Sequence, residues 1–213
     1  MWEFPYMARC SSISKDEQKR VEDALLQSSR PHRNRCLFVL GVETGLRISE
    51  LLAVTVGDVV DVSNTIKHAL IIQKRFCKGK QRSRRVRLSP EARDVIYEAV
   101  AEAGRFGASR REDALFAPSF RRGAISRRQA YSIIHRALVA AGITNTGGTH
   151  TMRKTRAQRV VNCTTAKFQA GETQVMPIMA AMAALGHADI RTTSLYLKSG
   201  IEEVEAWTAN GEI

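Results

Sequence analysis

The sequence predicts a mainly α protein with one small antiparallel β-sheet, an α+β chain for which a mixed α/β label is also defensible. Three observations carry this. Capping signals stand ahead of apolar helical faces along most of the chain, residues 58 to 88 change to β-type runs, and glycines fall where the apolar periods stop. With 213 residues and 44% apolar content the chain can bury one good core, so one main domain with short extensions is expected.

Residues 1–12 show no period and read as an N-terminal arm or linker remnant with no assigned role. Ser14-Lys15-Asp16-Glu17 places a hydroxyl three residues before a carboxylate, a capping box, and Val21, Ala24 and Leu25 then give the apolar face of a first helix to about Ser29. Pro31, followed by Cys36, Leu37, Val39 and Leu40, starts a second helix that ends near Gly45. Arg47 opens a short third helix through Val54.

Val59, Val60 and Val62, then Ala69 to Ile72, then Val86 and Leu88 read as strands, separated by Ser63-Asn64 and Lys78-Gly79-Lys80. The last connection is a hairpin crowded with cations: from Lys74 to Arg87 there are eight Lys or Arg and no acid. Pro90 begins a helix to about Ala103, and residues 104–113 read as a loop. Ser126 caps a helix to about Ala141, and Gly147-Gly148 turns the chain into a helix that carries His150 and reaches about Val161. Asn162 to Gln174 is polar and is expected as a loop. Val175 to Leu185, rich in Ala and Met, is expected as an inward-packed helix stopped by Gly186. Ile201, Val204 and Trp207 are spaced on one side of an acidic terminal helix.

The 33 basic residues against 21 acidic ones leave a net charge of +12, which attracts a polyanion over many ångströms. Nucleic acid is therefore the leading partner, although basic proteins of other kinds share such a balance. Cys10, Cys36, Cys77 and Cys163 are scattered without a CxxC pair, so neither a zinc site nor a disulfide framework is indicated, and a cytoplasmic location fits. No stretch is long and apolar enough to span a bilayer, and no membrane partner is expected.

His150 and Arg153 stand three apart, so on a helix both can reach one phosphate. The bland reading is a chance pair. Arg47 can equally be a surface arginine paired with Glu50, but the preceding Thr44-Gly45-Leu46 lets backbone approach whatever the guanidinium holds. Arginine suits phosphate because its planar fork donates two parallel hydrogen bonds and keeps its charge. Tyr196 is the best placed of the four tyrosines to act as a nucleophile, since Tyr6 lies in the arm and Tyr97 and Tyr131 fall in ordinary helical settings. His187 follows the helix-stopping Gly186, where a plain helix-end histidine is the alternative. Lys78 and Lys80 sit at the hairpin tip, where either can protonate a leaving oxygen or simply touch DNA phosphates. Lys74, Arg75, Arg82 and Arg84 suit the latter role.

Arg47 within Thr44-Gly45-Leu46-Arg47-Ile48-Ser49-Glu50, Lys78 on its hairpin, His150 and Arg153, Leu185-Gly186-His187, and Tyr196 nine residues later occur in one order. This arrangement resembles the catalytic domain of the tyrosine recombinases, the phage integrase family, over residues 14 to 200. The resemblance implies a catalytic domain at 13–200 and a tail at 201–213 that docks on its own domain or on a neighbouring subunit. It implies that Tyr196 attacks a DNA phosphate to form a 3′-phosphotyrosine, with Arg47 and Arg153 clamping the phosphate. His150 would assist proton movement, His187 would hydrogen-bond the phosphate, and Lys78, or Lys80 in its place, would serve as general acid. No metal, ATP or other cofactor is implied. The implied partners are double-stranded DNA, further copies of the chain in a tetramer, and DNA-bending accessory proteins. The outcome would be integration, excision or inversion of a mobile DNA element.

The family's members usually carry a helical DNA-clamping domain ahead of the catalytic one. Here fewer than 20 residues precede the first helix, as in an excised catalytic domain or a short single-domain member. The spacing from Arg153 to Tyr196 is also long for the family, with the excess assigned to Asn162 to Gln174. Two rivals remain open: a DNA-binding accessory protein that keeps the fold without cleaving, and a tyrosine-dependent topoisomerase.

Overall fold

The structure is a computed structural model, and it describes residues 11–72, 83–119, 123–144, 147–187 and 190–194. The element order is α1 (Lys15–Leu26), α2 (Pro31–Thr44), α3 (Ile48–Leu52), α4 (Val56–Val59), β1 (Ala69–Ile72), β2 (Arg84–Arg87), α5 (Pro90–Arg105), α6 (Arg127–Ala140), α7 (Thr149–Gln169), α8 (Pro177–Leu185) and α9 (Ile190–Ser194). The mainly helical fold with a small antiparallel sheet is as expected.

Helix α2 is the axis of the core. Leu37, Phe38, Val39 and Leu40 are all fully buried, which requires neighbours on every side. Those neighbours are α1, α5, α6 and α7. Each fully buried side chain of this size contributes about 1.5–3 kcal/mol. Where α2 crosses α7 the approach is close: a Cβ on Gly41 would lie 2.5 Å from Met152 Sδ, so no larger residue fits without a shift.

The start of α2 is held electrostatically. The buried Glu102 on α5 accepts from the backbone N–H of Arg33 at 3.0 Å and from Arg30 Nε at 3.1 Å, while the Arg30 guanidinium lies 3.8 Å over the Phe106 ring. Burial, then repulsion from Arg30, lowers the Arg33 pKa to about 10 against the opposing pull of Glu102. It stays cationic at neutral pH. The far end stops at Gly45, whose left-handed φ of 59° turns the chain toward Arg47.

The expected helix starts are present. Ser14 and Glu17 form the capping box of α1, Ser126 and Gln129 that of α6, and Ser89 caps α5 ahead of Pro90.

Three expectations need correction. The run of Val59, Val60 and Val62 is not a strand. Val56–Val59 forms a helical turn because the Asp58 carboxylate accepts from both the backbone N–H and the hydroxyl of Thr55, each at 2.9 Å, and this local cap outweighs the β preference of valine. Val60 keeps a single antiparallel bridge to Ile66, Val62 is exposed, and the sheet has two strands.

The segment Asn162 to Gln174 is not a loop along most of its length, since α7 runs through Gln169. From Asn162 to Gln169 there is neither Gly nor Pro, and the polar side chains lie outward on a helix whose other face meets α8. Finally, α8 starts at Pro177 and packs on one side only. Ala181 and Leu185 are buried while Met176 and Met179 are exposed, as suits a short helix at the edge of the fold.

Strand β1 pairs with β2 in the register Ala69↔Arg87, Leu70↔Val86, Ile71↔Arg85 and Ile72↔Arg84. Leu70 and Ile72 enter the core, so Ile71, Arg85 and Arg87 form the solvent face. No helix among the described residues is long and apolar enough to cross a membrane.

Candidate active site

Four chain ends converge at one place: the C-terminus of α2, the N-terminus of α7, the C-terminus of α8, and α9. Helix α7 can begin there because Gly148 adopts φ 56° under the Tyr131 ring, where a Cβ would sit 2.4 Å from Tyr131 Cε2. His150 falls in its first turn and Arg153 in its second. Helix α8 ends at Gly186 with φ 64°, and the His187 backbone N–H then bonds to the Met182 carbonyl at 3.0 Å.

Arg153 is the centre of the arrangement and is only 3% exposed. Its Nη1 donates to the Gly45 carbonyl, and its Nη2 donates to the Leu185 carbonyl at 3.2 Å. Nη2 also lies 2.7 Å from His187 Nε2. These three acceptors orient the guanidinium. His187 is buried as well, and its Nδ1 lies 2.9 Å from the hydroxyl of the fully buried Thr193 on α9.

Gly45 is needed here for two reasons. Its backbone is left-handed, and an added Cβ would come within 2.8 Å of Leu185 Cδ2 and 3.0 Å of Arg156 Cγ. The close contact lets its carbonyl face Arg153.

Two residues on, Arg47 precedes α3. The buried Glu50 accepts from the Arg47 backbone N–H at 2.7 Å and from its Nη1 at 3.1 Å, while about a quarter of the Arg47 side chain remains open to solvent. His150 presents an open residue surface with a ring partly walled in. Loss of hydration, and then the charge of Arg153, hold its pKa below the ordinary imidazole value. The neutral ring can accept a proton at neutral pH.

The structure thus gathers Arg47, His150, Arg153 and His187 around one junction. Tyr196, Lys74, Arg75, Lys78, Lys80 and Arg82 lie outside the described residues, as do the arm at 1–10 and the tail. Arg84 opens β2 opposite Ile72. Sequence reasoning gave no role to Thr193. It counted Glu50 as a bland ion-pair partner rather than a clamp. For Glu50 the i to i+3 spacing from Arg47 was a usable signal, whereas nothing in the sequence pointed from His187 to Thr193.

A cavity of about 570 Å³ lies elsewhere, lined by Arg30, Arg33, Ser119, Ile133 and Arg136 among others. It sits near the start of α2, about 20 Å along that helix from Gly45.

Residues 11–203 match the model of the phage integrase family. The chain is 28% identical over 187 residues to the tyrosine recombinase XerD of Oceanobacillus iheyensis, a match that covers 86% of this chain and 56% of that one. It is 31% identical over 142 residues to the probable integrase/recombinase YoeC of Bacillus subtilis, covering 67% and 69% of the two chains. Its fold resembles that of the XerH site-specific recombinase bound to palindromic difH substrate in a post-cleavage complex, with a TM-score of 0.65, 20% identity, and coverage of 95% of this chain and 54% of that one. The chain therefore spans a little over half the length of the XerD and XerH proteins.

Proposed function

The chain belongs to the phage integrase family, and from that membership we propose that it cleaves and rejoins DNA strands as a site-specific tyrosine recombinase. The observation that carries this reading is the buried Arg153, fixed by three acceptors and flanked by His150 and His187. A planar guanidinium held in a fixed orientation is suited to receive phosphate oxygens.

In the proposed reaction the scissile phosphate lies against Arg153 and Arg47. The phenolic oxygen of Tyr196 attacks phosphorus, its proton passes toward His150, and the bond to the 5′-oxygen breaks as the phosphotyrosyl bond forms. Lys78, or Lys80 in its place, returns a proton to the leaving 5′-oxygen. Reversal with the 5′-hydroxyl of a partner duplex rejoins the strands, so bond energy is conserved and no ATP is used. Charge that builds on the equatorial oxygens is met by donors already in place. Removing one such donor typically slows a reaction by about 10²–10³-fold. His187, whose Nε2 is taken by Arg153, acts by steering that guanidinium. Four copies on synapsed DNA, with accessory DNA-bending proteins, complete the proposal.

The test is a covalent trap. A pool of duplexes with randomised sequence and a nick near the centre is incubated with the protein, and denaturation-resistant protein–DNA adducts are isolated. Wild type is expected to form them and Tyr196→Phe to form none. Binding without any adduct would favour a non-cleaving DNA-binding role, and an adduct with Tyr196→Phe would remove Tyr196 as nucleophile.

A further inference from the structure

We propose that Thr193 is a positioning residue that accepts the Nδ1–H of His187, whose tautomer Arg153 dictates, and thereby ties the segment leading to Tyr196 to the Arg153 guanidinium. The inference rests on the strand-transfer reading for its effect on rate, but its structural half stands on geometry alone.

A guanidinium can only donate, so the 2.7 Å contact between Arg153 Nη2 and His187 Nε2 requires a lone pair on Nε2. A neutral imidazole with that lone pair carries its hydrogen on Nδ1. Nδ1 lies 2.9 Å from Thr193 Oγ1, so the Nδ1–H donates to the hydroxyl oxygen. The chain of bonds therefore runs in one direction, from Arg153 to His187 to Thr193. All three residues are buried, at 3%, 7% and 0% exposure, so water does not readily replace a missing partner.

Thr193 belongs to α9, which ends at Ser194, two residues before Tyr196. One hydroxyl thus performs two tasks. It keeps the Nε2 lone pair turned toward the phosphate-binding arginine, and it fastens α9 to the arginine centre. The described residues of α9, Ile190–Ser194, pack on α8, and the buried bond from His187 adds a polar tie to that contact. Without the hydroxyl, the His187 Nδ1–H loses its acceptor while Arg153 still requires the Nε2 lone pair, so the ring is held from one side only.

Three proteins test this: wild type, Thr193→Val, which keeps the shape and removes the hydroxyl, and Thr193→Ser, which keeps the hydroxyl. Folding is compared by thermal unfolding, and the His187 tautomer is read in full-length, DNA-free protein by nitrogen-15 NMR of labelled histidine. All three are expected to carry the hydrogen on Nδ1, with the Nδ1 resonance of Thr193→Ser close to that of wild type and that of Thr193→Val displaced by loss of its acceptor. On a nicked duplex recovered from the covalent trap, Thr193→Val is expected to bind DNA as wild type does and to cleave about 10–100-fold more slowly, the usual cost of losing a partner that orients a histidine. Thr193→Ser is expected to recover most of that rate.

An Nε2–H tautomer in wild type would overturn the proposal. So would an unchanged cleavage rate in a folded Thr193→Val, or a slow Thr193→Ser. If wild type forms no adduct at all, strand transfer fails, and the NMR result still decides the hydrogen-bond chain.

Discussion

Glu50 grips Arg47 at two points, accepting from its backbone N–H at 2.7 Å and from its side-chain Nη1 at 3.1 Å. The carboxylate is 4% exposed and the arginine side chain 28%, so a buried anion holds a partly exposed cation. Hydrogen bonds to charged groups are typically worth about 1.5–3 kcal/mol. Glu50→Ala is expected to lower unfolding free energy by that amount in urea titrations. It is also expected to slow adduct formation more than it weakens DNA binding, because Arg47 is left charged but unaimed. Glu50→Gln, which can still accept from the backbone N–H, should fall between the two. Equal losses in binding and cleavage would show that Glu50 only supports the fold.

Gly45 sets the geometry on the other side of the junction. A substitution to alanine meets two obstacles at once, a φ of 59° and a Cβ within 2.8 Å of Leu185 Cδ2. Each is worth on the order of 1–2 kcal/mol, from left-handed backbone strain and from overpacking. Gly45→Ala is therefore expected to destabilise the protein by about 2–4 kcal/mol in denaturant titration and to displace the carbonyl that receives Arg153. A change in unfolding free energy of less than about 0.5 kcal/mol, typical of an unconstrained surface site, would contradict the close packing of α2, α7 and α8.

These contacts show which parts of the molecule local sequence can announce. Ser14, Ser126, Pro31 and Pro90 mark helix starts because a cap and its partner are at most three residues apart, and His150 and Arg153 are legible as a pair for the same reason. The run of Val59, Val60 and Val62 reads as a strand on its valines alone, whereas the cap between Thr55 and Asp58 takes Val59 into a helical turn. The stretch from Asn162 to Gln169 was misread because polarity was taken for irregularity, although nothing in it breaks a helix. The bonds from Arg153 to Gly45 and to His187 span 108 and 34 residues, and no periodicity encodes them. The order of motifs made them expected, and the packing of α7 against α2 and α8 supplies their geometry.

His150 predicts a pH dependence of definite sign. Its folded-state pKa lies below the ordinary value of 6.5, through lost hydration and then the charge of Arg153. As pH falls through the ordinary imidazole range, the unfolded chain takes up a proton at this residue before the folded chain does. Its contribution to stability is therefore present above that range and is lost as pH drops through the lowered folded-state value. His150→Gln should flatten the fall in unfolding free energy between pH 7.5 and pH 5, at about neutral and mildly acidic conditions. The ring-proton titration of His150 should have its midpoint below 6.5. A midpoint at or above that value would mean that the ring keeps its hydration and that the charge of Arg153 does not reach it.

The sheet offers a test of how the chain meets its polyanion. Arg85 and Arg87 stand on the solvent face beside Ile71, and residues 73–83 connect the paired ends Ile72 and Arg84. Each phosphate contact releases counterions and adds about 0.9 to the slope of log affinity against log salt on duplex DNA. Replacing Lys74, Arg75, Arg82 and Arg84 together by glutamine is expected to weaken binding to all duplex sequences and to reduce that slope by up to about 3–4. Arg85→Gln with Arg87→Gln should reduce it by up to about 2 while leaving sequence preference unchanged, because contacts to phosphate carry no base information. Fluorescence anisotropy across a salt series measures both. A slope unmoved by the fourfold replacement would take the hairpin off the DNA, and a slope unmoved by the pair alone would turn the outer sheet face away from it.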